Sequence, residues 1–199
     1  MSSRPLSKWK LLAAIFAAAI LADQATKLLA VDRLTTAFQR AGAVTLAGKV
    51  EALYGLKYLE PFAKEPYYVY RPLWRMNYVE NPGAAWGLFR SASDDFRNAF
   101  FTIISLVAVG FILHYYRRVE ARQRFLQVAL SFVLAGAVGN FVDRLARKYV
   151  IDFVEWYWWN RPDLRWPTFN VADSLIVVGV IMLVLHPGPR HDAPAELQV

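Results

Sequence analysis

The stretch FLQVALSFVLAGAVGNFVDRL, residues 125–145, decides the fold. It carries no charged side chain before Asp143, and its apolar residues are not confined to one helical face. A helix that is apolar all round is typical of a membrane span, and about 20 such residues cross a bilayer core. Its charged residues, Asp143 and Arg144, come only at its end, close to Asn140. We therefore predict a spanning helix with a polar site at one end.

Three further apolar blocks lie at about residues 9–30, 99–116 and 171–186, the last being short. The chain is 56% hydrophobic and 20% charged over 199 residues, more apolar than ordinary soluble domains. We predict an all-α membrane protein with four transmembrane helices, built as one domain over residues 1–199. The first block resembles a cleaved signal peptide in shape. We favour an uncleaved anchor because the helical pattern continues through Asp23 and Lys27.

Basic residues set the expected orientation. Arg4, Lys8 and Lys10 precede the first block, and four arginines crowd the short connection 117–124. Cytoplasmic segments of membrane proteins are enriched in Lys and Arg. We expect both termini inside, with an insert (31–98) and a loop (146–170) on the extracytoplasmic side. The net charge of +7 then reflects topology, and we expect no nucleic acid partner.

The long insert predicts an extracytoplasmic substructure. Residues 50–59 fit a short amphipathic helix, and residues 67–70 and 73–79 fit two short strands of a small β-element. A cluster of tryptophans, Trp156, Trp158, Trp159 and Trp166, suits contact with membrane lipid at the interface.

The predicted topology gathers the polar residues in and next to the spans, together with Gly83, at the extracytoplasmic face. They are Asp23, Lys27, Asn81, Gly83, Asn140, Asp143, Arg144, Asp152, Asn170 and Asp173. Ionisable groups at membrane depth are costly, and their default interpretation is a functional site.

Structural interpretations compete with a functional one. Asp23 and Lys27, four residues apart, form a self-neutralising pair. Asn170 with Asp173 fits a helix cap. Asp143 beside Arg144 fits a surface ion pair, with Arg147 also nearby. The small residues 135–139 fit close helix packing. Asp152 is the hardest to explain structurally, because VIDFV (residues 150–154) surrounds its carboxyl group with apolar side chains.

The residue types narrow the chemistry. There are no cysteines, and the three histidines are widely spaced, so we expect no metal and no cofactor. A Ser174–Lys27 dyad has no supporting pattern. Two carboxyl groups at an apolar boundary suit aspartic protease chemistry, in which one group holds a proton and the other activates water.

Five segments together resemble the signature blocks of lipoprotein signal peptidase, or signal peptidase II. In chain order they are DQATK (23–27), NPGAAW (81–86), GNFVDR (139–144), VIDF (150–153) and FNVADS (169–174). Each block is weak evidence alone, but their order on four spans is specific. The resemblance covers most of residues 10–185.

The resemblance implies a role for each matched residue. Asp152 and Asp173 match the catalytic pair. Residues that would shape the pocket or support the site are Asp23, Lys27, Asn81, Gly83, Asn140, Asp143, Arg144, Asn170 and Ala172. The implied reaction removes the signal peptide of a diacylglyceryl-modified prolipoprotein just before its lipid-bearing cysteine. The implied location is the bacterial inner membrane, with the site outside. We expect a monomer.

One departure from the family pattern is the length of the stretch between Lys27 and Asn81. The sequence leaves open whether the extra residues enlarge a substrate cradle or serve a separate purpose. Two other functions also stay open. A transporter would need polar groups across the membrane depth, and a scaffold would give no reason for Asp152 and Asp173 to share a face.

Overall fold

The computed structural model describes residues 7–83, 92–159 and 161–186, without the side chains of Asp94 and Pro162. Its helices are α1 (Lys8–Leu34), α2 (Ala37–Arg40), α3 (Leu46–Gly55), α4 (Asp94–Arg118), α5 (Arg124–Arg147) and α6 (Val171–Val184). Its strands are β1 (Tyr67–Tyr70), β2 (Trp74–Asn81), β3 (Val150–Trp158) and β4 (Arg161–Arg165). A single 3₁₀ turn, Glu60–Phe62, precedes β1.

Three helices of the described part are long and apolar enough to cross a membrane, namely α1, α4 and α5. The helix α6 is apolar too, but it has 14 residues. At 1.5 Å per residue it extends about 21 Å, short of the roughly 30 Å of a hydrocarbon core. The expected spans are therefore all helical, and three of them reach spanning length.

The helices pack around α5, which contacts α1, α4 and α6. Small residues on α5 make the contact with α6 close, as the sequence predicts. A Cβ on Gly136 would collide with the carbonyl oxygen of Ala172, and one on Gly139 would lie 2.7 Å from Asp23 Oδ2. This packing holds the start of α6 against the polar end of α5.

The two ends of the bundle differ in charge. At one end Lys8 donates hydrogen bonds to the carbonyl oxygens of Arg117 (2.8 Å) and Val119 (2.8 Å). The start of α1 and the basic connection between α4 and α5 are therefore neighbours. The opposite end holds the second half of α1, the last turns of α5 and the start of α6.

The β-element is a four-stranded antiparallel sheet in the order β1-β2-β3-β4. The predicted strands 67–70 and 73–79 correspond to β1 and β2, but the predicted loop 146–170 contains β3 and β4. A bulge explains why β3 lacks clear alternation, since the N–H groups of Phe153 and Val154 both donate to the carbonyl of Phe169. Ile151, Phe153 and Val154 pack on the core beside α1, which leaves Asp152 on the other face.

The predicted amphipathic helix exists, but it begins earlier than expected. It is α3, and its start is capped by Thr45, whose hydroxyl accepts a hydrogen bond from the N–H of Gly48 (3.1 Å). Leu53 is buried, whereas Leu56 follows the helix end. The turn signal at Thr45 outweighs the apolar spacing on which the predicted boundary rested.

Candidate active site

Asp152 lies on β3 with its carboxyl group buried. Asn81 Nδ2, from the neighbouring strand β2, donates to Oδ2 at 2.9 Å. Asn170 Nδ2 donates to Oδ1 at 2.7 Å. Both oxygens therefore meet neutral amide groups, and no ion pair of Asp152 is found among the described residues.

Asp173 lies in the first turn of α6, where the local sequence forms a capping box. Asn170 Oδ1 accepts a hydrogen bond from the backbone N–H of Asp173 (2.9 Å), and the backbone N–H of Asn170 donates to Asp173 Oδ2 (3.1 Å). The other oxygen, Oδ1, accepts from Asn140 Nδ2 at 2.7 Å. The predicted capping role of Asn170 is confirmed, and the cap fixes the direction of the Asp173 carboxyl group.

Two asparagines connect the carboxyl groups of Asp152 and Asp173. Asn170 Nδ2 contacts Asp152 and also donates to Asn140 Oδ1 (3.1 Å), while Asn140 Nδ2 contacts Asp173. Burial raises the pKa of Asp152 to about 8, and the charge of Asp173 adds to this rise. Hydrogen bonds from Asn81 and Asn170 oppose the rise without cancelling it. Burial and the neighbouring carboxylate therefore both favour the protonated form of Asp152.

Asp23 and Asp143 form a second set of carboxylates beside the first, and both are buried. Lys27 Nζ is 2.8 Å from Asp23 Oδ2 and 2.8 Å from Asp143 Oδ2, and Arg147 bonds to the other oxygen of Asp143. All four side chains are at most 1% exposed. Two cations balance two anions there, which is how buried charges become tolerable. We call Asp23, Lys27, Asp143 and Arg147 the charged cluster.

The predicted pair Asp23–Lys27 is confirmed, whereas the predicted surface pair of Asp143 with Arg144 is wrong. Asp143 is buried rather than at the surface, and it pairs with Arg147 and Lys27 instead of Arg144. Consecutive residues of a helix point about 100° apart, but residues four apart share a face. Arg147, one turn further on, therefore reaches Asp143.

The charged cluster supports the carboxyl pair through specific contacts. Asp23 Oδ1 accepts a hydrogen bond from the backbone N–H of Ala172 (3.0 Å), next to Asp173. Asp143 Oδ2 accepts from the N–H of Ile151 (3.3 Å), next to Asp152. Lys27 donates to Asn140 Oδ1 (3.3 Å). The residue that precedes each carboxyl group of the pair, Ala172 or Ile151, thus bonds to the charged cluster through its backbone N–H.

Arg144 borders the site without an ion pair to Asp152 or Asp173 within 4.0 Å. Its guanidinium carbon lies 5.2 Å from the ring centroid of Phe101, and its Nη1 reaches the carbonyl of Asn140 at 3.5 Å. Its Nε is buried with no hydrogen-bond partner in the described part of the chain. A buried donor of this kind is available to a substrate carbonyl.

Gly83 forms the turn that leaves β2. Its N–H donates to Asn81 Oδ1 (2.9 Å), and its φ of +108° suits only glycine. A Cβ there would also collide with the ring of Phe101. The turn thereby orients Asn81, which donates to Asp152. The remainder of the NPGAAW block, Ala84–Trp86, lies outside the described residues.

The structure brings together the residues that the sequence assigned to the site, and the sequence reasoning missed two participants. Gln24 Nε2 donates to Asp23 Oδ2 (2.9 Å) and Asp143 Oδ1 (3.1 Å). Tyr54 donates to Gln24 Oε1 (2.8 Å). Gln24 has a signal in the sequence, since it lies inside a signature block. Tyr54 has none, because its contact depends on tertiary folding.

The alternative Ser174–Lys27 dyad is not formed. The Ser174 hydroxyl donates to the carbonyl of Asn170 at 3.0 Å, within its own helix. Lys27 is bonded instead to Asp23, Asp143 and Asn140. Within the described ranges, no three His, Asp or Glu side chains gather in a metal-binding group.

The fold has apolar helices, and at one end of them two carboxyl groups accept hydrogen bonds from asparagine side chains. These features define the chain as a helical membrane protein whose site suits acid–base hydrolysis. The family model described as "Signal peptidase (SPase) II" matches residues 15–187. The chain therefore belongs to the signal peptidase II family, and it is a protease of that family.

Similar proteins agree with this assignment. A lipoprotein signal peptidase of Anaeromyxobacter sp. (strain Fw109-5) is 68% identical over 185 residues, 93% of this chain and 88% of that protein. One from Symbiobacterium thermophilum is 44% identical over 111 residues, 56% of this chain and 68% of that protein. A solved structure described as a bacterial membrane enzyme has a TM-score of 0.63 at 24% identity, covering 88% of this chain and 90% of that chain. That last likeness concerns the fold alone.

Proposed function

We propose that this chain is the aspartic endopeptidase that removes the signal peptide from diacylglyceryl-modified prolipoproteins, cutting just before the lipid-bearing cysteine. Membership in the signal peptidase II family supports the reaction. The observation that carries the mechanism is the pair Asp152 and Asp173, held by the amides of Asn81, Asn140 and Asn170 rather than by cations.

In the proposed mechanism Asp152 is the acid and Asp173 the base. Asp173 takes a proton from water as the water oxygen attacks the scissile carbonyl carbon. The protonated Asp152 donates a hydrogen bond to the carbonyl oxygen, where negative charge develops. When the tetrahedral intermediate collapses, the C–N bond breaks and the proton taken by Asp173 passes to the leaving nitrogen. Water is thereby divided between the new carboxylate and the new amine.

The residues around the pair fit the task of holding an extended peptide. Arg144 Nε is a buried donor without a hydrogen-bond partner, and the turn at Gly83 places main chain at the edge of the site. Asn81, Asn140 and Asn170 fix the carboxyl directions. Ala172 lets α6 approach α5 closely. Asp23, Lys27 and Asp143 hold the carboxyl pair in position through their contacts with Ala172, Asn140 and Ile151.

The proposed topology has four spans, with both termini cytoplasmic and the site on the extracytoplasmic side of the bacterial inner membrane. The basic end formed by Lys8, Arg117, Arg118, Arg122 and Arg124 supports this orientation. The site lies at the opposite end. The fourth span is α6, whose outer residues Val177, Val180, Ile181 and Val184 expose apolar side chains. Its shorter length fits a helix that begins below the membrane surface, at the active site.

We also assign membrane lipid as a partner of the sheet. Trp156, Trp158, Trp159 and Trp166 are each more than half exposed. Exposed indole groups with an apolar body and one N–H favour the membrane–water interface. Arg161 and Arg165 on β4 lie among them and suit lipid headgroups. A lipid-anchored substrate would reach the carboxyl pair from that interface. We propose that the enzyme is a monomer and a single domain.

The test is cleavage of a purified lipid-modified prolipoprotein by the purified chain. We expect a single cut before the modified cysteine, and no cut in the same precursor without its diacylglycerol group. An Asp173→Asn variant serves as the inactive control. Equal cleavage of both precursors would refute the proposed lipid requirement, and no cleavage of either would refute the proposed substrate class.

A further inference from the structure

The long segment between α1 and β1 contains α2 and α3, which fold back onto the outer end of α1. Ala37, Phe38 and Leu53 are buried in one apolar cluster with Val31 and Leu34 of α1. Lys49 of α3 pairs with Asp32 of α1 at 2.7 Å. The helix α3 is therefore anchored on both sides, by apolar contact and by charge.

From this anchored position α3 contacts the charged cluster twice. The Tyr54 hydroxyl donates to Gln24 Oε1 at 2.8 Å. The carbonyl oxygen of Leu53 accepts a hydrogen bond from Arg147 Nη1 at 3.1 Å, and the Arg147 guanidinium carbon lies 5.2 Å from the Tyr54 ring centroid. Both groups that α3 touches, Gln24 and Arg147, donate to the same oxygen of Asp143.

The contact with Gln24 sets the direction of its amide group. Carboxylates only accept hydrogen bonds, so Asp23 and Asp143 require the NH₂ side of the Gln24 amide. The amide oxygen must then face away and find a donor, which Tyr54 supplies. Without that hydroxyl the amide loses the partner that distinguishes its two orientations, and a flipped amide would place an oxygen against two carboxylates.

Asp143 is connected to both groups of the carboxyl pair through hydrogen bonds and one ion pair. Its Oδ2 accepts from the N–H of Ile151, the residue before Asp152. The same oxygen binds Lys27, which donates to Asn140, and Asn140 donates to Asp173. A displacement of Asp143 would therefore move both halves of the acid–base arrangement.

We propose that α3 is a brace for the active site and that Tyr54 is a positioning residue acting through Gln24. This inference rests on the proposed function of Asp152 and Asp173. The segment between α1 and β1 then has a role in turnover, although Tyr54 does not contact the substrate. Loss of the hydroxyl should then lower the rate of the chemical step and leave substrate binding intact.

Tyr54→Phe tests the brace, because it removes the hydroxyl and keeps the ring on Arg147. We expect kcat to fall about fivefold, as the loss of one hydrogen bond worth about 1 kcal/mol implies, with KM unchanged. Tyr58→Phe is the matched control: Tyr58 follows α3, is 63% exposed, and makes only a ring contact with Tyr149 in the described part of the chain. It should leave both constants unchanged. An unchanged kcat in Tyr54→Phe, or a change in KM alone, would overturn the proposal.

A double substitution tests the route through Gln24. In a Gln24→Ala background, Tyr54→Phe should cause no further loss of kcat, because the hydroxyl then has no amide to orient. A full second loss would show that Tyr54 acts elsewhere, and would overturn its assignment as a residue acting through Gln24.

Hydrogen exchange tests the brace independently of the substrate. The amide of Ile151 should exchange faster in Tyr54→Phe than in the wild type and in Tyr58→Phe. Unchanged exchange overturns the brace even if the enzyme cleaves prolipoprotein. Faster exchange in an enzyme that fails to cleave any prolipoprotein supports the brace and counts against the proposed function alone.

Discussion

Two groups of carboxyl side chains lie side by side in this protein, and their surroundings differ. Asp23 and Asp143 share the cation Lys27, and Asp143 also pairs with Arg147. Asp152 and Asp173 are held by asparagine amides, with no cation within 4.0 Å of either in the described part of the chain. Cations favour the ionised form of a carboxyl group, whereas burial beside another carboxylate favours a retained proton. The partner, rather than burial itself, therefore distinguishes the proposed supporting carboxylates from the proposed catalytic ones.

The difference also shows how the two groups cooperate. The ionised groups of the charged cluster are engaged with one another and with their neighbours, because Lys27 contacts three oxygens and Asp143 accepts from four donors. The carboxyl pair has capacity to donate and accept protons. We expect the charged cluster to hold the carboxyl pair in place. Substitutions in the charged cluster should therefore mainly lower stability, and substitutions in the carboxyl pair should mainly lower turnover.

The largest expected effect is on turnover at the carboxyl pair. Asp152→Asn and Asp173→Asn should each lower kcat by about a thousandfold or more while the protein stays folded and binds prolipoprotein. The double variant should be no slower than either single one, because groups that act as a unit fail together. Single-turnover cleavage with a binding assay measures both properties.

Asp143→Asn is the control from the charged cluster. It should lose stability and retain partial turnover, since its carboxylate holds Lys27 and Arg147 but does not touch the substrate. An inactive Asp143→Asn beside a fully active Asp152→Asn would place the catalytic pair at Asp143 and Asp173. Full activity of both Asp152→Asn and Asp173→Asn would exclude an aspartic mechanism.

A smaller effect, on stability, is expected from Lys27→Met. Removing one partner of a buried ion pair costs about 3–5 kcal/mol, because it leaves a buried charge uncompensated. Here two carboxylates lose their shared cation. Denaturant unfolding in detergent should show the loss, with Lys49→Met, which breaks a partly exposed pair with Asp32, as a control of smaller effect. Equal losses in the two variants would contradict the distinction between buried and peripheral charge.

The mildest effect is the pH dependence of turnover. Asp152 has a pKa of about 8, so the protonated acid predominates below that value and is lost as the pH rises above it. We expect kcat to fall by about tenfold per pH unit above pH 8. Asp143→Asn should keep this alkaline limb. A rate that increases through pH 8 would mean that Asp152 acts as the base.

The sequence predicted the helices, and which polar residues lie together at one end of the bundle, better than the sheet and the contacts between elements. Long apolar blocks identify α1, α4, α5 and α6 because helices in membranes satisfy their own backbone. Asp152 was found because a carboxyl group within VIDFV contradicts its surroundings. The strand β3 was missed because its bulge and its two covered faces remove the alternation that marks a strand.

Pairings that depend on three-dimensional direction were less predictable. Arg144 and Arg147 were both expected near Asp143, and the surface pair with Arg144 was wrong because helix geometry selects Arg147. Tyr54 reaches Gln24 across 30 positions of sequence, and no local pattern in α3 indicates that contact. The boundary of α3 moved because a capping residue, rather than the apolar spacing, starts the helix.

Infrared difference spectroscopy over a pH titration tests the contrast between the two groups most directly. The account predicts a protonated carboxyl band at pH 7 that disappears with a midpoint of about 8. The band should be absent from Asp152→Asn and retained in Asp23→Asn and Asp143→Asn. Its absence from the wild type at pH 7, or its persistence in Asp152→Asn, would contradict the assignment of the proton to the pair of Asp152 and Asp173.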